Sequence, residues 1–95
     1  MTKTRRFDIA ELLETQADVQ DFLTETAQNG TAAEFIHALG IAARAKGMSE
    51  VAKQAGVTRA SLYKSLVSDA NPNFETIFRV CNALGVRLVP QAVHT

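Results

Sequence analysis

The 95-residue chain has a single cysteine, Cys81, so it can form no internal disulfide and carries no cysteine-based metal pattern. Its two histidines, His37 and His94, stand far apart in sequence, without the clustered company that a zinc site needs. No apolar run approaches the ~18–20 residues that cross a bilayer. The basic opening Met1-Thr2-Lys3-Thr4-Arg5-Arg6 leads into an acidic, amphipathic stretch instead of the apolar segment of a signal peptide. Also missing are a G-x-S-x-G elbow, a Walker glycine loop and a paired catalytic dyad. These absences predict a protein that is not an enzyme, binds no metal or other cofactor, makes no membrane contact and works in a reducing cytoplasm.

A further absence is positional. Between residues 7 and 43 there is no lysine or arginine, while Asp8, Glu11, Glu14, Asp18, Asp21, Glu25 and Glu34 all fall there. Lys3, Arg5 and Arg6 precede that stretch. From Arg44 onward, Arg44, Lys46, Lys53, Arg59, Lys64, Arg79 and Arg87 stand against Glu50, Asp69 and Glu75. The formal net charge of zero hides this division. Either different faces serve different partners, or the two halves attract one another within a monomer or across a dimer.

What is present is helical periodicity in a globular composition, 46% hydrophobic and 21% charged. The length fits one domain over residues 1–95, divided into acidic N-terminal helices (1–43), a central core (44–85) and a C-terminal tail (86–95). A chain this short leaves its monomer marginally stable, which favours dimerisation. Ile9, Leu12 and Leu13 have helical spacing after Asp8, a candidate cap. Thr15 or Asp18 starts a second helix with an apolar stripe of Val19, Phe22, Leu23, Thr26 and Ala27, and Asn29-Gly30 ends it through a left-handed closure. Thr31 with Glu34 forms a capping box for a third, whose inner face is Phe35, Ile36, Leu39, Ala42 and Ala43. Gly40 within that helix signals the close approach of a neighbouring backbone. Two short helices follow, over residues 49–54 and 58–66. Then come the polar turn Ser68-Asp69-Ala70-Asn71-Pro72 and a last helix over 74–84, capped by Asn73 and stopped by Gly85. Val86-Arg87-Leu88-Val89-Pro90 reads as a short strand or an extended arm.

The two short helices carry the functional signal. A steep crossing needs a small residue at the approach, which Ala52 supplies, and the reversal needs positive φ, which Gly56 supplies. Val51, Val57, Leu62 and Leu66 point inward and fix the crossing. Ser49 and Thr58 sit where each helix needs an N-cap, and a helix N-terminus offers free N–H groups to a phosphate. The pattern is a helix-turn-helix, whose second helix enters the DNA major groove. Its outward residues are Arg59, Ala60, Tyr63 and Lys64, with Ser61 near the edge. Arg59 suits guanine, a hydroxyl suits base or phosphate, Ala60 suits a thymine methyl, and Lys64 suits a phosphate. The alternative for Arg59 and Lys64 is a solvated helix face, and for Tyr63, more readily, an aromatic side chain that leans onto the domain. Asn73 either caps a turn and nothing more, or sets a second helix N-terminus against a phosphate. Cys81 reads as a small core hydrophobe.

The chain also resembles the helix-turn-helix addiction-module antidotes, the antitoxins that pair with RelE/ParE-like toxins. The resemblance lies in four stretches. They are Phe7-Asp8-Ile9-Ala10-Glu11-Leu12-Leu13, Ala38-Leu39-Gly40-Ile41-Ala42-Ala43-Arg44-Ala45-Lys46-Gly47-Met48-Ser49, the residues from Gly56 to Leu66, and Asn71-Pro72-Asn73-Phe74-Glu75-Thr76 continuing to Ala83-Leu84-Gly85-Val86. It implies an all-α bundle of about five helices, lambda-repressor-like, with a short extended tail. It also implies an antitoxin that neutralises a toxin by direct contact and represses its own operon, usually as a homodimer on double-stranded operator DNA. A two-fold dimer would set two recognition helices about 34–36 Å apart. Phe78, Val86, Leu88 and Val89 are the expected dimer surface, and residues 7–43 the expected toxin surface. Ser65 departs from the helix-turn-helix pattern, where a larger apolar residue is usual, and Leu66 fills that role one position later. The alternatives are a stand-alone regulator without a toxin, or a protein-interaction module that uses the fold as scaffold.

Overall fold

Local hydrogen bonds set most element boundaries. The computed structural model describes residues 9–67 and 71–93. Asp8, residues 68–70 of the polar turn and His94 lie outside them. Among the described residues a single 3-10 turn, Ile9–Leu12, precedes five α-helices. These are α1 (Gln16–Asn29), α2 (Ala32–Lys46), α3 (Met48–Ala55), α4 (Arg59–Val67) and α5 (Phe74–Ala83). No strand occurs among the described residues, and residues 86–93 of the tail form no regular element.

Thr15 accepts from the Asp18 N–H while the Asp18 carboxylate accepts from the Thr15 N–H, a reciprocal box that starts α1. Thr31 and Glu34 repeat it at α2, with the Thr31 N–H donating to Glu34 at 2.7 Å. Asn73 starts α5 by accepting from the Thr76 N–H at 2.9 Å. Two local expectations fail. Gly30 closes α1 in an extended conformation, φ −106°, not a left-handed one, because Thr31 must at once adopt the extended cap of α2. Ser49 is not a cap: Gly47 alone joins α2 to α3, so helix resumes at Met48 and Ser49 lies inside its first turn.

The central element is α2. Its expected one-sided stripe understates its burial, because every residue from Ala38 to Ala43 is buried. A helix apolar all round must be covered all round. Here α1 packs on it, α4 packs on it elsewhere, and α3 and α5 also reach it. The core joins Val19 and Leu23 of α1, Leu39 and Ala42 of α2, Val51 of α3, Leu62 and Leu66 of α4, and Val80, Cys81 and Leu84 around α5. Among the described residues no buried side-chain polar atom lacks a partner.

Gly40 is where α4 meets α2. A Cβ added there would stand 3.1 Å from the Leu66 carbonyl oxygen, so the close approach expected from sequence occurs. Gly40→Val is expected to overpack this contact and lower folding stability by about 2 kcal/mol. The measurement is the urea midpoint at unchanged slope; an unshifted midpoint would show that α4 lies further from α2.

Cys81 is fully buried among these apolar side chains, and burial pushes its thiol from 9.0 up to about 11. It should therefore resist thiol reagents at neutral pH until the chain opens. Because the folded state holds this proton more tightly than the unfolded chain, the associated stability is complete below about pH 9. It is lost as pH rises towards about 11. Labelling as fast as that of an exposed thiol would contradict this burial.

Candidate functional site

The α3–turn–α4 unit is assembled by its own backbone. Gly56 adopts the left-handed conformation, φ 76°, at the end of α3. Its N–H donates to the Lys53 carbonyl, and the Val57 N–H reaches back to the Ala52 carbonyl at 3.0 Å. This paired closure reverses the chain. Thr58 then accepts from the Ser61 N–H at 3.0 Å, which starts α4 and makes Thr58 the cap that its position in the sequence predicts. Only Gly56, Val57 and Thr58 separate the helices.

Packing decides which face of α4 is outward. Leu62 and Leu66 are buried, Ser65 is half-buried, and Leu66 supplies the apolar contact that Ser65 does not. Arg59, Ala60, Ser61, Tyr63 and Lys64 are all exposed, so the five candidate residues of this helix share its solvent side. Ser49 and Asn73 are exposed as well, one in the first turn of α3 and the other at the start of α5. Tyr63 keeps 55% of its surface exposed, so it does not fold down onto the core. Instead it borders a groove of about 310 Å³ between α2 and α4, with His37, Ile41 and Arg44 along the α2 side.

That contribution of α2 was not visible in the sequence. His37 and Arg44 flank Tyr63 only because Gly40 lets α4 lie close. The one signal in advance was Gly40 itself. Arg79 was missed too. It pairs with Glu75 at 2.7 Å one turn earlier in α5, and its guanidinium lies beside Gly56, 3.6 Å from where a Cβ would stand.

The electrostatic division survives folding. The segment from the 3-10 turn to the first part of α2 carries Glu11, Glu14, Asp18, Asp21, Glu25 and Glu34, with no lysine or arginine before Arg44 among the described residues. Lys53, Arg59 and Lys64 lie exposed on α3 and α4. The described residues contain no cluster of metal-binding side chains and no helix long and apolar enough to cross a membrane.

Residues 3–92 match the family described as "probable addiction module antidote protein". The chain belongs to that family. A protein of Haemophilus influenzae (strain ATCC 51907 / DSM 11121 / KW20 / Rd), described as an uncharacterized protein, is 39% identical over 85 residues, covering 90% of this chain and 88% of that protein. No solved structure matches the chain. Membership of an antidote family implies a toxin as partner, and the matched span takes in the 3-10 turn and all five described helices. In this antidote the α4 face and the acidic helices are therefore two candidate surfaces within one family-defined unit.

Proposed function

We propose that this antidote is a sequence-specific DNA-binding antitoxin that neutralises its toxin and represses its own operon. The observation that carries the DNA reading is the exposed side of α4. Arg59, Ala60, Tyr63 and Lys64 are exposed on α4 with Ser61 near the edge, held out by two buried leucines and approached by a three-residue turn. In this reading α3 and α4 form a lambda-repressor-like helix-turn-helix, with α4 in the major groove. Arg59 reads a base edge, Lys64 contacts phosphate, and the α4 and α5 N-termini at Thr58 and Asn73 approach the backbone. Ser49, within the first turn of α3, offers a hydroxyl to the same backbone, not a cap.

The operator complex is a homodimer. The expected dimer surface changes in composition, however. Val86 and Leu88 are half-buried against the protein's own core and so offer less apolar area than their types suggest. Phe74 and Phe78, 69% and 38% exposed with ring centroids 5.9 Å apart, form the apolar pair left open on α5. Aromatic pairs of this kind favour contact between proteins. The toxin is RelE/ParE-like and basic, and the acidic helices receive it, since opposite charge speeds encounter. All of this takes place in the cytoplasm, without catalysis by the chain and without a cofactor.

The test is a titration of the chain's own promoter at several salt concentrations. Saturable binding, stronger than to unrelated duplex and falling with salt, is expected. Binding that does not saturate, or that ignores sequence, would leave α3 and α4 as scaffold and favour an interaction module.

A further inference from the structure

A second concave feature lies away from α3 and α4 and is built from none of their residues. The tail turns back along α1 after α5. The Gln16 side-chain amide donates to the Leu84 carbonyl and Gln20 to the Gly85 carbonyl, both at 3.0 Å, while Lys46 donates to the Ala83 carbonyl at 2.7 Å. These three donors satisfy carbonyls at the end of α5 that the helix itself leaves open. They also fix where the tail departs. Val86 and Leu88 then pack on the core, while Val89 stays 68% exposed. Between this tail, the second half of α1 and Phe35 of α2 lies a groove of about 190 Å³, walled by Leu23, Thr24, Ala27, Leu88 and Val89.

We infer that this groove anchors one apolar side chain of a basic segment of the toxin. The inference deepens the antitoxin reading and rests on it. Size argues against a small-molecule ligand, because such sites usually enclose about 300–1,000 Å³. A single buried side chain is the scale of an interface anchor. Charge identifies what carries that side chain. Asp21 and Glu25 follow one another along the exposed surface of α1, Glu34 stands at the start of α2, and no lysine or arginine occurs in α1 or in α2 before Arg44. Arg87 is the cation lining the groove among its described walls, and it comes from the tail. A segment that is apolar at one point and positive around it therefore matches the α1 side. No residue of α3 or α4 lines the groove, so the anchor shares no side chain with the outward face of α4.

The probe is the protein encoded by the reading frame adjacent to this chain's gene, purified and titrated by calorimetry against the full chain. Ala27 is exposed in the groove wall, and Ala27→Arg fills the groove and adds a charge of the wrong sign. It is expected to weaken binding at least about 30-fold, the scale of a lost anchor. Val89→Lys, on the opposite wall, should also weaken binding, and Asn82→Arg, exposed on α5 and outside both the groove and the acidic helices, should change it less than about 3-fold. A thermal midpoint within a few degrees of wild type in all three shows that each is folded. Wild-type binding with both groove variants unaffected would overturn the anchor and leave the antitoxin reading intact. No binding by the wild type would remove the antitoxin reading, and the anchor with it. A wild-type dimer that Ala27→Arg turns into a monomer would assign the groove to a second copy of the chain and overturn the proposal.

Discussion

Leu62→Ala is expected to remove about 3 kcal/mol of folding stability and to lower the thermal midpoint by roughly 10–20 °C. Leu62 has 0% of its surface exposed, and with Leu66 it makes up the buried side of α4 described here. Truncation loses the transfer free energy of the side chain and leaves a cavity, because a core packed from several helices relaxes only partly around it. A chain of this length has a total of roughly 5–14 kcal/mol, so the loss is a large fraction of it. Ala60→Ser, on the exposed side of the same helix, should stay within about 0.5 kcal/mol of wild type. If Leu62→Ala melted within a few degrees of wild type, α4 would not be docked as described, and its outward face would lose its definition.

The second large effect concerns that face. Arg59→Ala is expected to weaken binding to the chain's own promoter by about 1–3 kcal/mol, or roughly 5–150-fold. It should also relax preference at one base pair, since a side chain that reads a base edge is silent elsewhere. Arg59 is exposed in the first turn of α4, just after the Thr58 cap, so its loss should barely move the thermal midpoint. Lys64→Ala should behave differently, weakening all sequences about evenly and reducing the salt slope by about 1. Equal sequence preference in wild type and Arg59→Ala would remove base readout by Arg59, whatever the affinity.

The Leu62, Gly40 and Arg59 predictions rest on one geometric fact, the closeness of α4 to α2. Gly40 permits it, Leu62 and Leu66 hold it, and the outward residues follow from it. The groove that sets His37 and Arg44 beside Tyr63 is a consequence as well. Substitutions in α2 could therefore alter the behaviour of α4 without touching any candidate contact.

By itself the sequence determined what depends on three or four neighbouring residues. The box at Thr31–Glu34, the caps at Thr58 and Asn73 and the turn at Gly56 are local hydrogen bonds or local backbone conformations, and side-chain type specifies them directly. Thr15 and Asp18 were both open as the start of α1, and the structure makes Thr15 the cap with Asp18 as its reciprocal partner. The outward set on α4 was legible for the same reason, because helical spacing separates it from Leu62 and Leu66. Tertiary structure decided the rest. The start of α3 at Met48 depends on how α2 and α3 join through Gly47, and the all-round burial of α2 depends on which helices meet it. The clasp of Gln16, Gln20 and Lys46 on the end of α5 spans sequence separations of 68, 65 and 37 residues, which no local pattern encodes. Whether Val86 and Leu88 face a partner or their own core is likewise settled only when the chain closes, because a hydrophobic side chain specifies burial but not what buries it.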